Sequence, residues 1–160
     1  MVIGVGERIP DVTLRTVVDD ALREISMAAY CRNRVVVMFA VPGAFTPACS
    51  ARHLPGCLER RADFTARGVE AVACLAVNDA FVMSAWALRE RLERRIDLLA
   101  DGNADFSRAV GLTQDLSALG LGVRSLRYAM TLNSGVVQNL FVDPPGAFEV
   151  SAAEHVLANL

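Results

Sequence analysis

The chain has 160 residues, of which 53% are hydrophobic, and a net charge of −2 from sixteen basic and eighteen acidic side chains. That is the size of one soluble domain able to bury a sizeable core, and the interleaved charges exclude a polyanion-binding surface: even the cluster Arg89–Arg95 reads as a solvated helix face. No charged-then-apolar leader opens the sequence and no apolar run approaches the ~20 residues needed to cross a bilayer. The expectation is therefore a single domain over residues 1–160, in the cytoplasm, with neither membrane nor nucleic acid as partner.

In chain order, Val35–Val41 is a strongly β-prone run. Pro47 suits the first turn of a helix, where its missing N–H is not needed, and residues 50–67 repeat apolar side chains near helical spacing. Val69–Val77 follows as a buried strand, Ala80–Arg95 as a helix and Asp97–Ala100 as a short strand. Residues 111–123 lack a clear period and read as a loop with a helical turn. Leu126–Leu132 and Val136–Val142 form a hairpin closed by Asn133, Ser134 and Gly135. Ser151 and Glu154 have the spacing of a capping box opening the terminal helix. A hairpin cannot join parallel strands, so elements in this order predict an α/β domain with a mixed sheet flanked by helices.

The chemistry concentrates at Cys49, which stands just inside the helix that Pro47 opens. Free amides and the positive end of a helix favour the thiolate, the nucleophilic form of cysteine. Thr46, three residues earlier, can turn its hydroxyl to the sulfur. Arg127 falls in a predicted buried strand, where an arginine is seldom found unless paired or functional. His53 lies four residues after Cys49 and shares its helix face, the arrangement of a cysteine–histidine hydrolase if a third group orients the imidazole. With two histidines and no paired cysteine spacing, a metal site has little support.

Pro42, Thr46 and Cys49, extended as Val41–Ser50 and then His53–Gly56, resemble the active-site signature of the type II (peroxiredoxin 5) subfamily of peroxiredoxins, closest to its plant and bacterial members. Val72–Val82, Trp86, Leu99–Gly102, Leu119–Gly122, Arg124–Met130 and Phe148–Ser151 resemble family segments in the same order. The resemblance implies the thioredoxin fold and a thiol peroxidase acting on hydrogen peroxide or alkyl hydroperoxides, with no cofactor. It makes Cys49 the peroxidatic cysteine and Pro42 a shield for its thiolate. Thr46 becomes a hydrogen-bonding group for sulfur or peroxide, and Arg127 the guanidinium that stabilises charge as the oxygen–oxygen bond breaks; Arg124 is expected to be an outer charge. The family carries histidine at His53 without using it as a general base, which places it in a supporting shell. A homodimer near the active-site loop is also implied, with Phe45 as a candidate contact.

The other cysteines are read one by one. Cys57 is eight residues beyond Cys49, about 12 Å of rise on an intact helix, well past the separation a disulfide tolerates. Cys74 resembles the second cysteine of the plant type II enzymes and is the possible resolving residue, although most buried cysteines are inert. Cys31 has no counterpart. Animal members carry their resolving cysteine where this chain has Val150. The expected cycle thus ends with an external thiol, glutathione with glutaredoxin or thioredoxin, reducing a sulfenic acid. A thioredoxin-like oxidoreductase would need a Cys-x-x-Cys pair where Thr46 stands; a non-enzymatic peroxide sensor using the same cysteine is the alternative.

Overall fold

Six of the seven residues of Val35–Val41 are buried in the computed structural model, which describes residues 1–160. A strand apolar at every position is one covered on both faces. The strands are β1 (Thr13–Val18), β2 (Ala21–Ser26), β3 (Val35–Val41), β4 (Ala71–Ala76), β5 (Asp97–Ala100), β6 (Thr113–Asp115), β7 (Val123–Ser125), β8 (Tyr128–Asn133) and β9 (Val136–Val142). The helices are α1 (Met27–Cys31), α2 (Leu54–Glu59), α3 (Arg61–Ala66), α4 (Ala80–Arg89), α5 (Asp105–Ala109) and α6 (Ala153–Ala158). Seven strands form one sheet in the order β2-β1-β5-β4-β3-β8-β9, and β6 pairs with β7 separately. β3 runs parallel to β4 and antiparallel to β8, so the sheet is mixed, as expected.

The two-residue period of the strands divides the core. Val37, Phe39 and Val41 of β3, with Val72, Cys74 and Ala76 of β4, face Leu54, Cys57, Phe64, Met83, Trp86 and Val156 from α2, α3, α4 and α6. Val36, Met38, Ala40, Ala73 and Leu75 face Met27 and Cys31 of α1 and Phe106 of α5. Cys49, Cys57 and Cys74 therefore lie on one side of the sheet and Cys31 on the other.

Several predicted elements need correction. The helix from Ala80 ends at Arg89 rather than Arg95. Arg91 takes a left-handed conformation, φ 54°, and its N–H and that of Leu92 donate to the carbonyls of Leu88 and Ala87. This is a Schellman stop with an arginine where glycine is usual, and it delivers Leu92 into the core. The capping box does not form: α6 has Ala152 as its N-cap, without a side-chain bond, because the Ser151 hydroxyl is held by Asp143 and Glu154 reaches Arg60 at 3.5 Å. The helix predicted over residues 50–67 is interrupted at Arg60. The β1–β2 hairpin has no counterpart among the predicted elements; it is closed by Asp19 and Asp20, both at positive φ as a primed turn demands. The loop over 111–123 contains β6, a 3₁₀ turn at Ser117–Leu119 and the start of β7.

Candidate active site

The segment after β3 builds the site. Its helix starts at Pro47, and the first helical backbone bond runs from Ser50 N–H to the Thr46 carbonyl, 2.9 Å, which leaves the amides of Ala48 and Cys49 without a helical acceptor. Cys49–His53 then forms a π-helical turn in which Leu54 N–H reaches back five residues to the Cys49 carbonyl. Pro55 accounts for the widening: it has no N–H for residue 51, and its ring would crowd that carbonyl in a tighter helix. Cys49 and His53, at the two ends of the wide turn, are both inaccessible to solvent and both face Arg127.

One guanidinium spans the pair. Arg127 donates from Nη2 to Cys49 Sγ at 3.0 Å and from Nη1 to His53 Nδ1 at 2.9 Å. Arg127 is only 8% exposed, and none of the molecule's five ion pairs includes it. A buried cation without a carboxylate needs acceptors for its donors, and Cys49 Sγ and His53 Nδ1 are the groups that meet it. The Phe148 ring lies 5.6 Å from the Arg127 guanidinium carbon, a cation–π distance.

His53 is gripped on all sides. Its Nε2–H donates to the Ser151 carbonyl at 3.1 Å, and the rings of Phe39 and Phe148 lie 4.8 Å away on either side. Burial and then the adjacent Arg127 charge push its pKa down to about 3, outweighing the Ser151 carbonyl and Asp143. Both ring nitrogens are thus occupied and neither is directed at sulfur, so the cysteine–histidine hydrolase reading has no geometric basis.

The loop between β3 and the helix is tied from several sides. The Thr46 hydroxyl donates to the Gly43 carbonyl at 2.8 Å, so its proton is not given to the sulfur and its lone pairs remain available. Ala44 N–H donates to Asn78 Oδ1 at 2.9 Å. Arg124, expected as an outer charge, is instead half-buried and donates to the carbonyls of Leu121 and Pro42. A side chain at Gly43 would meet Arg124 Nη1 at 2.7 Å. Pro42, Ala48, Arg52, Gln114, Arg127 and Phe148 line a cavity of about 110 Å³ that the Cys49 thiol reaches only through Arg127 and its chain neighbour Ala48. A larger cavity of about 400 Å³, between β1, β5 and α4, shares no residue with it.

Cys74 is fully buried in β4, in register with Phe39. Burial, then the neighbouring thiols of Cys49 and Cys57, push its own thiol well above the ordinary cysteine range. Cys57 is pushed up by burial as well, and Cys31, across the sheet, to about 11. Asn78, Asp143, Phe148 and Ser151 also shape the site. Of these, Asn78, within Val72–Val82, and the stretch Phe148–Ser151 carried a signal in the sequence, as parts of family-like segments, and Asp143 carried none.

The Redoxin family model matches residues 4–157. Peroxiredoxin-2E-2 of Oryza sativa subsp. japonica, a chloroplastic protein, is 47% identical over 165 residues, covering 99% of this chain and 72% of that one. The chain belongs to the type II, peroxiredoxin 5-like peroxiredoxins. Reduced Prx3 of Vibrio vulnificus, solved in complex with hydrogen peroxide, superposes on this peroxiredoxin with a TM-score of 0.94 at 43% identity over 98% of each chain. A Burkholderia cenocepacia structure provisionally described as a thioredoxin reductase superposes with a TM-score of 0.98 at 46% identity, over 100% of this chain and 99% of that one. The fold is the thioredoxin fold, and the peroxiredoxin is a peroxidase of the oxidoreductase class that uses thiol chemistry on peroxides.

Proposed function

We propose that Cys49 is the peroxidatic cysteine and that Arg127 activates it, a reading carried by the buried guanidinium whose charge has no carboxylate partner and meets the sulfur at 3.0 Å. The thiolate attacks the terminal oxygen of hydrogen peroxide or an alkyl hydroperoxide. A sulfur–oxygen bond forms as the oxygen–oxygen bond breaks, sulfur gives up two electrons, the leaving oxygen takes the peroxide's proton to depart as water or an alcohol, and the sulfenate left behind takes a proton from solvent to become the sulfenic acid. Arg127 stabilises the charge that spreads over both oxygens, an electrostatic role suited to a permanently charged fork of donors. Thr46 accepts the peroxide O–H through the lone pairs left by its bond to Gly43, and Pro42 walls the cavity against solvent.

The sulfenic acid condenses with an external thiol to a mixed disulfide and water; a second thiol releases Cys49 and a disulfide. Glutathione with glutaredoxin, or thioredoxin, serves as reductant. The burial of Cys74 and its raised thiol pKa favour this route over internal resolution. Excess peroxide carries Cys49 on to the sulfinic acid. The cytoplasm is the proposed setting; no helix is long and apolar enough to cross a membrane.

A homodimer completes the proposal. Phe45 is partly exposed at a positive φ, and Phe81 and Leu88, seven residues apart on α4, stand exposed on one helix face. The ring of Phe45 lies beside that helix, under the guanidinium of Arg89 at 5.5 Å. Sedimentation should show a wild-type dimer that Leu88→Glu splits; equal sedimentation of the two proteins refutes this surface.

Intact mass spectrometry of reduced protein given one equivalent of hydrogen peroxide tests the cycle. A trappable gain of one oxygen in wild type and in Cys74→Ser, absent from Cys49→Ser, is expected. Loss of two hydrogens in wild type alone would transfer resolution to Cys74, and no rapid change at all would refute the assignment of Cys49.

A further inference from the structure

We infer that Asp143 is a positioning residue for this reaction, holding the segment 143–151 so that the Ser151 carbonyl fixes His53 in the tautomer that receives Arg127. The inference rests on the proposed roles of Cys49 and Arg127.

A carbonyl oxygen only accepts and a guanidinium only donates. An imidazole between them must therefore carry its proton on Nε2, facing Ser151, and present the Nδ1 lone pair to Arg127 Nη1. The other tautomer would set N–H against N–H and push the guanidinium away from Cys49. What selects the tautomer is thus the place of one backbone carbonyl, in a segment with neither helix nor strand to hold it.

Asp143 supplies the missing hold. Only 1% exposed at the end of β9, it accepts the amides of Glu149, Val150 and Ser151 at 3.1, 2.9 and 3.2 Å, and the Ser151 hydroxyl at 2.5 Å. Its own N–H donates to the Arg127 carbonyl at 2.9 Å. One residue is therefore bonded to the main chain of two members, Ser151 and Arg127, of the relay Ser151–His53–Arg127–Cys49. The same segment carries Phe148, Pro144 and Pro145 into the wall of the cavity. Asparagine cannot replace the carboxylate, because its NH₂ would confront donors.

The test compares Asp143→Asn, Asp143→Glu and Ser151→Ala, each alone and on a His53→Gln background, by rapid quench and mass spectrometry of Cys49 oxidation. Asp143→Asn should slow oxidation by about 10- to 100-fold, Ser151→Ala by less, and Asp143→Glu should recover part of the loss. On the His53→Gln background the Asp143→Asn loss should shrink to within about threefold, because both act through one relay. A loss of equal size in both backgrounds, or none in either, overturns the inference. ¹⁵N NMR of the wild type at pH 7, where only His53 and His155 contribute imidazole signals, should show His53 as the Nε2–H tautomer; the Nδ1–H form overturns the inference even if Asp143→Asn does not fold. Absence of Cys49 oxidation in the wild type would instead refute the underlying peroxidase assignment.

Discussion

Arg127 ties the candidate site together in one side chain, since its two terminal nitrogens hold Cys49 Sγ and His53 Nδ1 at once. Lysine keeps the charge but is a single point donor on a flexible stem, unable to span both partners. Arg127→Lys should therefore lower the rate of Cys49 oxidation by about 10² to 10³-fold, measured under single-turnover conditions; a loss below tenfold would separate charge from geometry and sink the bridging role. Arg127 was legible in the sequence because an arginine beside Tyr128–Met130 contradicts its apolar surroundings. Asp143 was not, because an aspartate before two prolines looks like any turn residue until three amides ten residues or fewer downstream close on it. Ser151 was legible but misassigned: its spacing to Glu154 suits a cap, but its hydroxyl donates to the buried Asp143 carboxylate instead of accepting from the first amides of the helix.

Among the elements, the buried strands were the easiest to read, since β3 and β4 are apolar at every position and β5 lies where the sequence put it. What composition could not show was the π turn at Cys49–His53, which depends on Pro55 acting on a helix already formed, and the stop of α4 at Arg89, which depends on where Leu92 finds a core. That stop gives a prediction. Arg91 adopts a conformation that costs a residue with a Cβ roughly 1 kcal/mol relative to glycine. Its side chain makes no hydrogen bond or ion pair. Arg91→Gly should raise the unfolding free energy by up to about 1 kcal/mol in denaturant titration, with peroxidase activity unchanged; a destabilisation would mean that the arginine side chain contributes more than its backbone costs.

For the molecule as a whole, the site makes stability depend on pH. The folded state holds His53 neutral, with its pKa brought from 6.5 down to about 3, whereas the unfolded chain protonates it near the ordinary value. Between those limits the unfolded state binds the extra proton, so stability is complete above about 6.5 and falls as pH drops toward 3, with a slope approaching ~1.4 kcal/mol per pH unit. Asp143 acts in the same direction: burial raises its pKa, but the hydrogen bonds from Ser151 and the amides of Val150 and Glu149 outweigh this and hold it below the usual carboxylate value. Denaturant unfolding at pH 7 and pH 4 should show a larger loss in wild type than in His53→Gln; equal losses would place the acid sensitivity elsewhere.

The single tryptophan of the chain, Trp86, is fully buried and donates its indole N–H to the Ser50 hydroxyl at 3.0 Å, one residue from Cys49. A rearrangement of the wide turn that displaces Ser50 breaks or stretches that bond and changes what surrounds the indole. The molecule thus carries its own light-emitting gauge: any event that moves residue 50 writes itself into the emission of one chromophore, with no dye attached and no second tryptophan to blur the signal.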